Sequence, residues 1–288
     1  MGKKQIAVIA TVVVITGYLC YLQPKPLVLA KAADRGTGKV ASSAERPNAG
    51  ANVNVTVGMV SATAKTVIQQ DQASKITALE NQLTSATNDD DKLAMQKQLA
   101  SQWDAAGQPA PAAFYYRDIA QKQNTAAAWI TAGNHFNDAY KLTQDTTAQP
   151  YFDAQAMDAF QNAMKLAPES LDAKTGLGIA YVNGGGTPMQ GIALLLDVVK
   201  HDPKNWNANF NLGLFSMKSG QYEKAVDRFK TASAAKPTEV EPVFYLAESY
   251  KQLGLRKEAI DAYQKCKQLM PDPAFGKKID QYIKELSN

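Results

Sequence analysis

The residues with which this 288-residue chain could do bond chemistry are two histidines, two cysteines and two glycine clusters. Their spacing supports little of it. Neither His135 nor His201 belongs to a set of Cys, His and acid side chains at metal-holding intervals. Gly176-Leu177-Gly178 and the run 184–186 lack the preceding strand and the following Lys-Ser/Thr that a phosphate loop requires. No nucleophile elbow, zincin helix or kinase signature is written anywhere. Cys20 lies in an apolar run and Cys266 at a small-residue position of a helix, so they read as packed residues and not as a disulfide. The chain is expected to be no enzyme and to hold no cofactor and no metal. What remains to its side chains is non-covalent: carboxamides that pair with polar groups and apolar side chains that bury one another.

The elements that would position such groups come from a sequence written twice. Ala225-x3-Phe229-x2-Ala232-x4-Pro237 returns 34 positions later as Ala259-x3-Tyr263-x2-Cys266-x4-Pro271. Upstream of each stands a matching segment, Asn209-x2-Leu212-Gly213-x2-Ser216 and then Val243-x2-Leu246-Ala247-x2-Tyr250. Each unit reads as two amphipathic helices joined by a turn (Lys218-Ser219-Gly220-Gln221, Gln252-Leu253-Gly254-Leu255) and closed by proline. Small residues at Gly213, Ala225, Ala247 and Ala259 let the helices approach, while Leu212, Phe229, Leu246 and Tyr263 fill the space between pairs. One pair cannot bury its apolar face alone, so the units must stack.

This period and grammar resemble the tetratricopeptide repeat (TPR). The resemblance implies an all-α solenoid, read here as about five helix pairs over residues 93–271 with a capping helix over 272–288. Within it, residues 93–125 are a divergent first unit: Leu99, Ala100 and Trp103 match Leu212, Gly213 and Ser216, Gly107 matches Gly220, and Asn124 replaces the terminal proline. The second opens at Trp129-x2-Ala132-Gly133-x2-Phe136, and its second helix arrives late, so the stretch around residues 141–153 should lengthen the helices or protrude as a loop. The third runs from Lys174-x2-Leu177-Gly178-x2-Tyr181 to Pro203. After Pro271, Phe275, Ile279, Tyr282 and Ile283 share the apolar face expected of a cap.

In such arrays first-helix side chains line a concave groove. The resemblance implies that these are Ile130, Asn134, Asn137 and Asp138, then Thr175, Ile179 and Asn183, then Asn207, Phe210, Asn211 and Leu214, and last Glu241, Phe244, Glu248 and Lys251. The asparagines would hold an extended peptide while Phe210, Leu214 and Phe244 accept its apolar side chains; the same residues could equally do no more than cover the helices. The Lys/Arg set with which TPR co-chaperones clamp a terminal carboxylate is absent. Asn183-Gly-Gly-Gly-Thr-Pro188, Asp202-Pro-Lys-Asn205 and Leu212-Gly-Leu214 resemble, over about one repeat, the membrane-anchored TPR subunits of bacterial cytochrome c maturation, which hold apocytochrome.

The net charge of +4 is uneven. Residues 1–39 carry six cations against one acid, a net +5, which leaves −1 over the rest, so no nucleic-acid-binding face is expected. Residues 5–22 are 18 in number and uncharged, about the minimum for a span at 1.5 Å per residue. Tyr18 and Tyr21 sit near one end, and Pro24 and Pro26 come after them. Residues 1–32 are therefore expected to anchor the chain in a membrane. The competing reading, a cleaved signal, needs small residues closer to the apolar run than Ala30 and Ala32. The repeats would lie outside the cytoplasm, in the periplasm of a Gram-negative source. Residues 33–58 read as a flexible tether. Residues 59–92 read as a helical segment with Val67, Ile76, Leu79 and Leu83 on its apolar face, and Asn88 to Asp91 as the cap of the next helix. That segment could dock on the first repeat or, with residues up to 106, associate with another copy as a stalk. The sequence thus points to a membrane-tethered scaffold for a partner polypeptide, with an oligomerising stalk or an apocytochrome holder as alternatives.

Overall fold

The structure, a computed structural model, describes residues 55–184 and 187–287. The described residues form thirteen helices and no strand. In chain order these are α1 (Val57–Lys65), α2 (Gln70–Ser85), α3 (Asp89–Ala105), α4 (Pro109–Gln123), α5 (Ala126–Leu142), α6 (Gln149–Leu166) and α7 (Leu171–Asn183). Then come α8 (Pro188–His201), α9 (Trp206–Lys218), α10 (Tyr222–Ala235), α11 (Val240–Gln252), α12 (Arg256–Leu269) and α13 (Pro273–Ser287). The expected anchor at 1–32 and nearly all of the expected tether lie outside the described residues. None of the described helices is long and apolar enough to cross a membrane.

From α3 to α12 the helices form five hairpins. Each second helix packs on the next first helix, and first helices also touch their successors: α5 meets α7, α7 meets α9 and α9 meets α11. The turns explain why the hairpins close alike. Gly107, Gly220 and Gly254 all adopt positive φ, 66°, 72° and 72°, a region open to glycine without steric cost. The amide after each bonds back to the carbonyl five positions earlier: Gln108 to Trp103 (3.0 Å), Gln221 to Ser216 (2.8 Å) and Leu255 to Tyr250 (3.0 Å). Gly107 therefore occupies the place of Gly220, and the divergent first unit has the register read from the sequence. At its far end Asn124 takes φ 46°, so a left-handed asparagine ends α4 where the later units use proline.

Four of the five first helices start on side-chain caps. Asn88, Thr125, Ser170 and Asn205 each accept the N–H three residues on, at 2.7, 3.2, 3.2 and 3.0 Å. Each such cap stabilises its helix by about 1 kcal/mol. Between the hairpins the core is a run of clusters rather than one centre, built on Trp103, Phe136, Phe160, Leu195, Phe229 and Tyr263, all fully buried. Glycine makes room where helices approach most closely: a Cβ on Gly213 would lie 2.6 Å from the Phe229 ring. The late second unit uses both options foreseen, with 17 and 18 residues in α5 and α6 and a loop over 143–148 from which Ala148 turns inward.

At the N-terminal end the structure departs from the sequence reading. The periodicity predicts one helical pattern from Met59 to Ala86; instead the chain breaks between α1 and α2, and Val67 is 71% exposed. The Thr63 hydroxyl bonds the Met59 carbonyl (3.2 Å) and the Thr66 hydroxyl that of Thr63 (2.7 Å), offering the backbone an alternative to further helix. The pair then folds onto the first repeat: α1 packs on α4, α2 on α3, Ile76 is fully buried, and Ser61 and Lys65 both bond Glu80. Val55 is buried as well, so the folded unit begins before residue 59. At the other end α13 covers α12 with Phe275 and Ile279, and Tyr282 packs on Phe244 and Tyr263 at 6.3 and 5.6 Å between centroids.

Candidate functional site

The fifteen side chains expected along the first helices divide into two groups. Thr175, Phe210, Phe244 and Glu248 are buried. Thr175, Phe210 and Phe244 share one register position with half-buried Ile130, and that position faces the neighbouring hairpin. The Phe210 ring stacks on Trp206 (5.0 Å) and meets Phe229 and Tyr245 (5.9 and 5.7 Å). Phe244 is enclosed by Tyr245, Tyr263 and Tyr282. The Thr175 hydroxyl bonds the Leu171 carbonyl, and Glu248 accepts the Tyr263 hydroxyl. The expectation that Phe210 and Phe244 accept a ligand's side chains is corrected on this point: stacking of the hairpins consumes both rings.

The others keep solvent contact. Asn134, Asp138 and Asn207 are exposed; Ile130, Asn137, Ile179, Asn183, Asn211, Leu214, Glu241 and Lys251 are half-buried. Asn137 donates to the Gly176 carbonyl (3.2 Å), which ties α5 to α7 and leaves its own oxygen without a partner. Asn211 donates to the Asn207 carbonyl one turn before it (2.8 Å). Lys251 stands over the Tyr282 ring, 5.4 Å from its centroid, and 3.9 Å from Glu285, both on α13. The first-helix face thus offers carboxamides between half-buried Ile179 and Leu214, and its last portion is shared with the capping helix.

Sequence reading missed a polar cluster at the other end of this face. His135 on α5 places Nε2 2.8 Å from Asp104 Oδ1 on α3 and Nδ1 2.8 Å from the Thr131 carbonyl. Its ring lies on that of Tyr116 from α4, 4.2 Å between centroids, and the Tyr116 hydroxyl donates to Asp104 Oδ2. Burial pulls the His135 pKa down, but the Asp104 bond, the Thr131 carbonyl and the charges of Asp104 and Asp138 outweigh it, and the net direction is up. Burial works against the Asp104 carboxylate too, yet its bonds to His135 and Tyr116 hold it below the usual range. The repeat register was the signal available: Asp104 follows Trp103 as Asn137 follows Phe136, which places it on the first-helix face. Among the described residues no three His, Cys, Asp or Glu side chains are grouped so as to hold a metal.

A second buried acid lies away from this face. Asp153 on α6 is 4% exposed, and its Oδ1 has no hydrogen-bond partner. Burial pushes its pKa up to about 7.

Hairpins stacked in this way, with first helices in mutual contact, define an α-solenoid. Residues 194–227 and 243–272 match models described as tetratricopeptide repeat, so the chain carries tetratricopeptide repeats over these stretches. It is similar to human Superkiller complex protein 3, 28% identical over 162 residues, which covers 52% of this chain and 10% of that protein. It is also similar to anaphase-promoting complex subunit 3 of Dictyostelium discoideum, 29% identical over 110 residues, 38% of this chain and 11% of that one. The chain therefore spans about a tenth of the length of these relatives. A solved thermophilic TPR protein of Thermus thermophilus shares the fold at 18% identity and a TM-score of 0.52, covering 67% of this chain and 98% of that one.

Proposed function

We propose that the repeats hold an extended segment of a partner protein against the first-helix face, and that the chain acts as a scaffold without chemistry of its own. The observation that carries this reading is the row of uncommitted carboxamides. The side chains of Asn134, Asn183 and Asn207 bond nothing else among the described residues, and the oxygen of Asn211 is also free to accept. Each amide can serve a peptide N–H and C=O together. Packing has already taken the large aromatics, so selectivity would rest on Ile179 and Leu214 for apolar side chains and on Asp138 for charge.

The uncharged run at 5–22 supports a membrane tether for this surface, with the repeats on the non-cytoplasmic side. A tether acts by effective concentration, making capture of a nearby partner partly intramolecular. The stalk alternative draws less support, since Ile76, Leu99 and Trp103 spend their apolar area within the chain.

The test is a photo-crosslinking side chain at Asn134 or Asn207 of the full chain, compared with one at Gln264 on α12. A polypeptide captured from the first two positions and not from the third is the expected result. Equal capture from all three would overturn the groove. Release of the full chain from membranes by carbonate, to the same extent as a chain lacking residues 5–22, would overturn the tether.

A further inference from the structure

We propose that His135 is a proton-operated latch joining the first repeat to the second. The argument begins with what its ring faces. Nδ1 lies 2.8 Å from a backbone carbonyl, that of Thr131, which can only accept. Nε2 lies 2.8 Å from a carboxylate oxygen of Asp104, and the second oxygen of that carboxylate already takes the Tyr116 hydroxyl. A neutral imidazole has one N–H and one lone pair, so it satisfies only one of these contacts and points a lone pair at the other oxygen. Both are satisfied only by imidazolium, in which both nitrogens donate.

The surroundings agree with a cation at this place. The ring rests on the face of Tyr116, where a positive charge is favoured, and Asp138 adds negative charge one turn along α5. The charged and titratable groups acting on His135 are thus Asp104 from α3, Tyr116 from α4 through its bond to Asp104, and Asp138 on its own helix, with Lys141 beyond it.

The three partners belong to different helices, which makes the device more than a surface pair. Asp104 ends α3, Tyr116 lies within α4 and His135 sits in α5, so one protonated ring ties both helices of the first repeat to the first helix of the second. The sign follows directly. A histidine whose folded pKa lies above its unfolded value contributes stability that is fully present below about 6.5. That contribution is lost as pH rises through the folded value. Repeat one, with α1 and α2 docked on it, should therefore open more often in mildly alkaline than in mildly acidic solution. Solvent reaches the cluster, since His135 is half-buried and Asp104 exposed, so the proton can exchange without unfolding.

Hydrogen exchange on the full chain, corrected for the intrinsic pH dependence of amide exchange, reads this opening segment by segment. Amides of α3 and α4 in the wild type should open on the order of tenfold more often at pH 8.5 than at pH 5.5, with α11 and α12 as the internal reference. The slope should vanish in Asp104→Asn and in His135→Gln. The His135 ring, followed by NMR, should titrate above the ordinary histidine value in the wild type and lower in Asp104→Asn. An α3–α4 opening that does not change with pH would overturn the latch, as would a His135 titration unaltered by Asp104→Asn. If His135→Gln fails to fold, the wild-type slope and the Asp104→Asn titration still decide.

Discussion

The ring of Phe160 stands where a side chain on Gly176 would have to begin: a Cβ there would lie 2.1 Å from Cζ of the ring. Phe160 is fully buried on α6, Gly176 opens the second turn of α7, and Gly133 of α5 stands on the same ring with a Cβ position 2.7 Å away. One aromatic thus sets the spacing of the second hairpin and of its junction with the third. Gly176→Ala would ordinarily favour the helix by about 0.5–1 kcal/mol, but here overpacking should win and cost about 1–3 kcal/mol. Urea unfolding of Gly176→Ala, alone and with Phe160→Leu, checks this; the double variant should recover part of the loss.

Asp153 makes the pH dependence of stability readable at a second place. Its folded pKa is raised to about 7 from an ordinary 3.8, through burial. Between those values the folded chain keeps a proton that the unfolded chain has released, so this group's contribution is largest at low pH, falls through the window and levels above it. Asp153→Asn should flatten that slope and be more stable than the wild type at pH 8 by about 2–4 kcal/mol. Thermal unfolding from pH 4 to 8 tests both statements. Gly184 leaves the carboxyl little room, since a Cβ there would lie 1.9 Å from Oδ2.

At the C-terminal end the buried pair Tyr263 and Glu248 should behave as a unit. Burial first, and then the Glu248 charge and hydrogen bond, push the Tyr263 pKa far up, so its proton stays on the bond to the carboxylate. Tyr263→Phe leaves that carboxylate without its donor and should cost about 1.5–3 kcal/mol. Adding Glu248→Gln should return part of it. A double-mutant cycle by chemical denaturation measures the coupling.

Packing and recognition should separate cleanly along the first helices. Phe244→Ala empties a fully enclosed site and should cost about 3–5 kcal/mol of stability. Asn207→Ala removes an exposed amide and should stay within about 0.5 kcal/mol of the wild type while weakening partner capture. Unfolding curves and crosslinking yields on the same two proteins give the comparison.

Cys266 is fully buried in α12, and burial pushes its thiol up to about 12, opposed only weakly by Lys265. In a Cys20→Ser background, alkylation at pH 8 should therefore proceed at the rate of unfolding. Labelling that stays fast at zero denaturant would contradict the packing of the last repeat.

The hairpins were legible because their constraints are local. Gly107 could be matched to Gly220 by position alone, and both take the same left-handed turn. Asn124 was found at the place of a proline because asparagine tolerates a left-handed end. The face of each helix was less legible, since a 34-residue register gives a position without saying whether the next hairpin covers it. Phe210 and Phe244 read as groove residues open to a partner's side chains for that reason, although aromatic residues at a stacking seam are worth more buried than bare. The bond between Asp104 and His135 joins residues 31 apart on different helices, and only the register overlay could have suggested it. The break after Lys65 was hidden because Thr63 and Thr66 suit a helix by pattern while their hydroxyls compete for its carbonyls.

Tyr282, Phe275 and Ile279 pack over the fifth hairpin. A chain ending at Pro271 would leave Phe244, Tyr263 and Cys266 as a sticky terminus with the shape of an unanswered repeat. Because that terminus differs from the front end, which α1 and α2 already occupy, such chains could add to one another only head to tail, a mode of association that does not close on itself. By covering that surface, α13 guards against such head-to-tail growth as much as it seals the core.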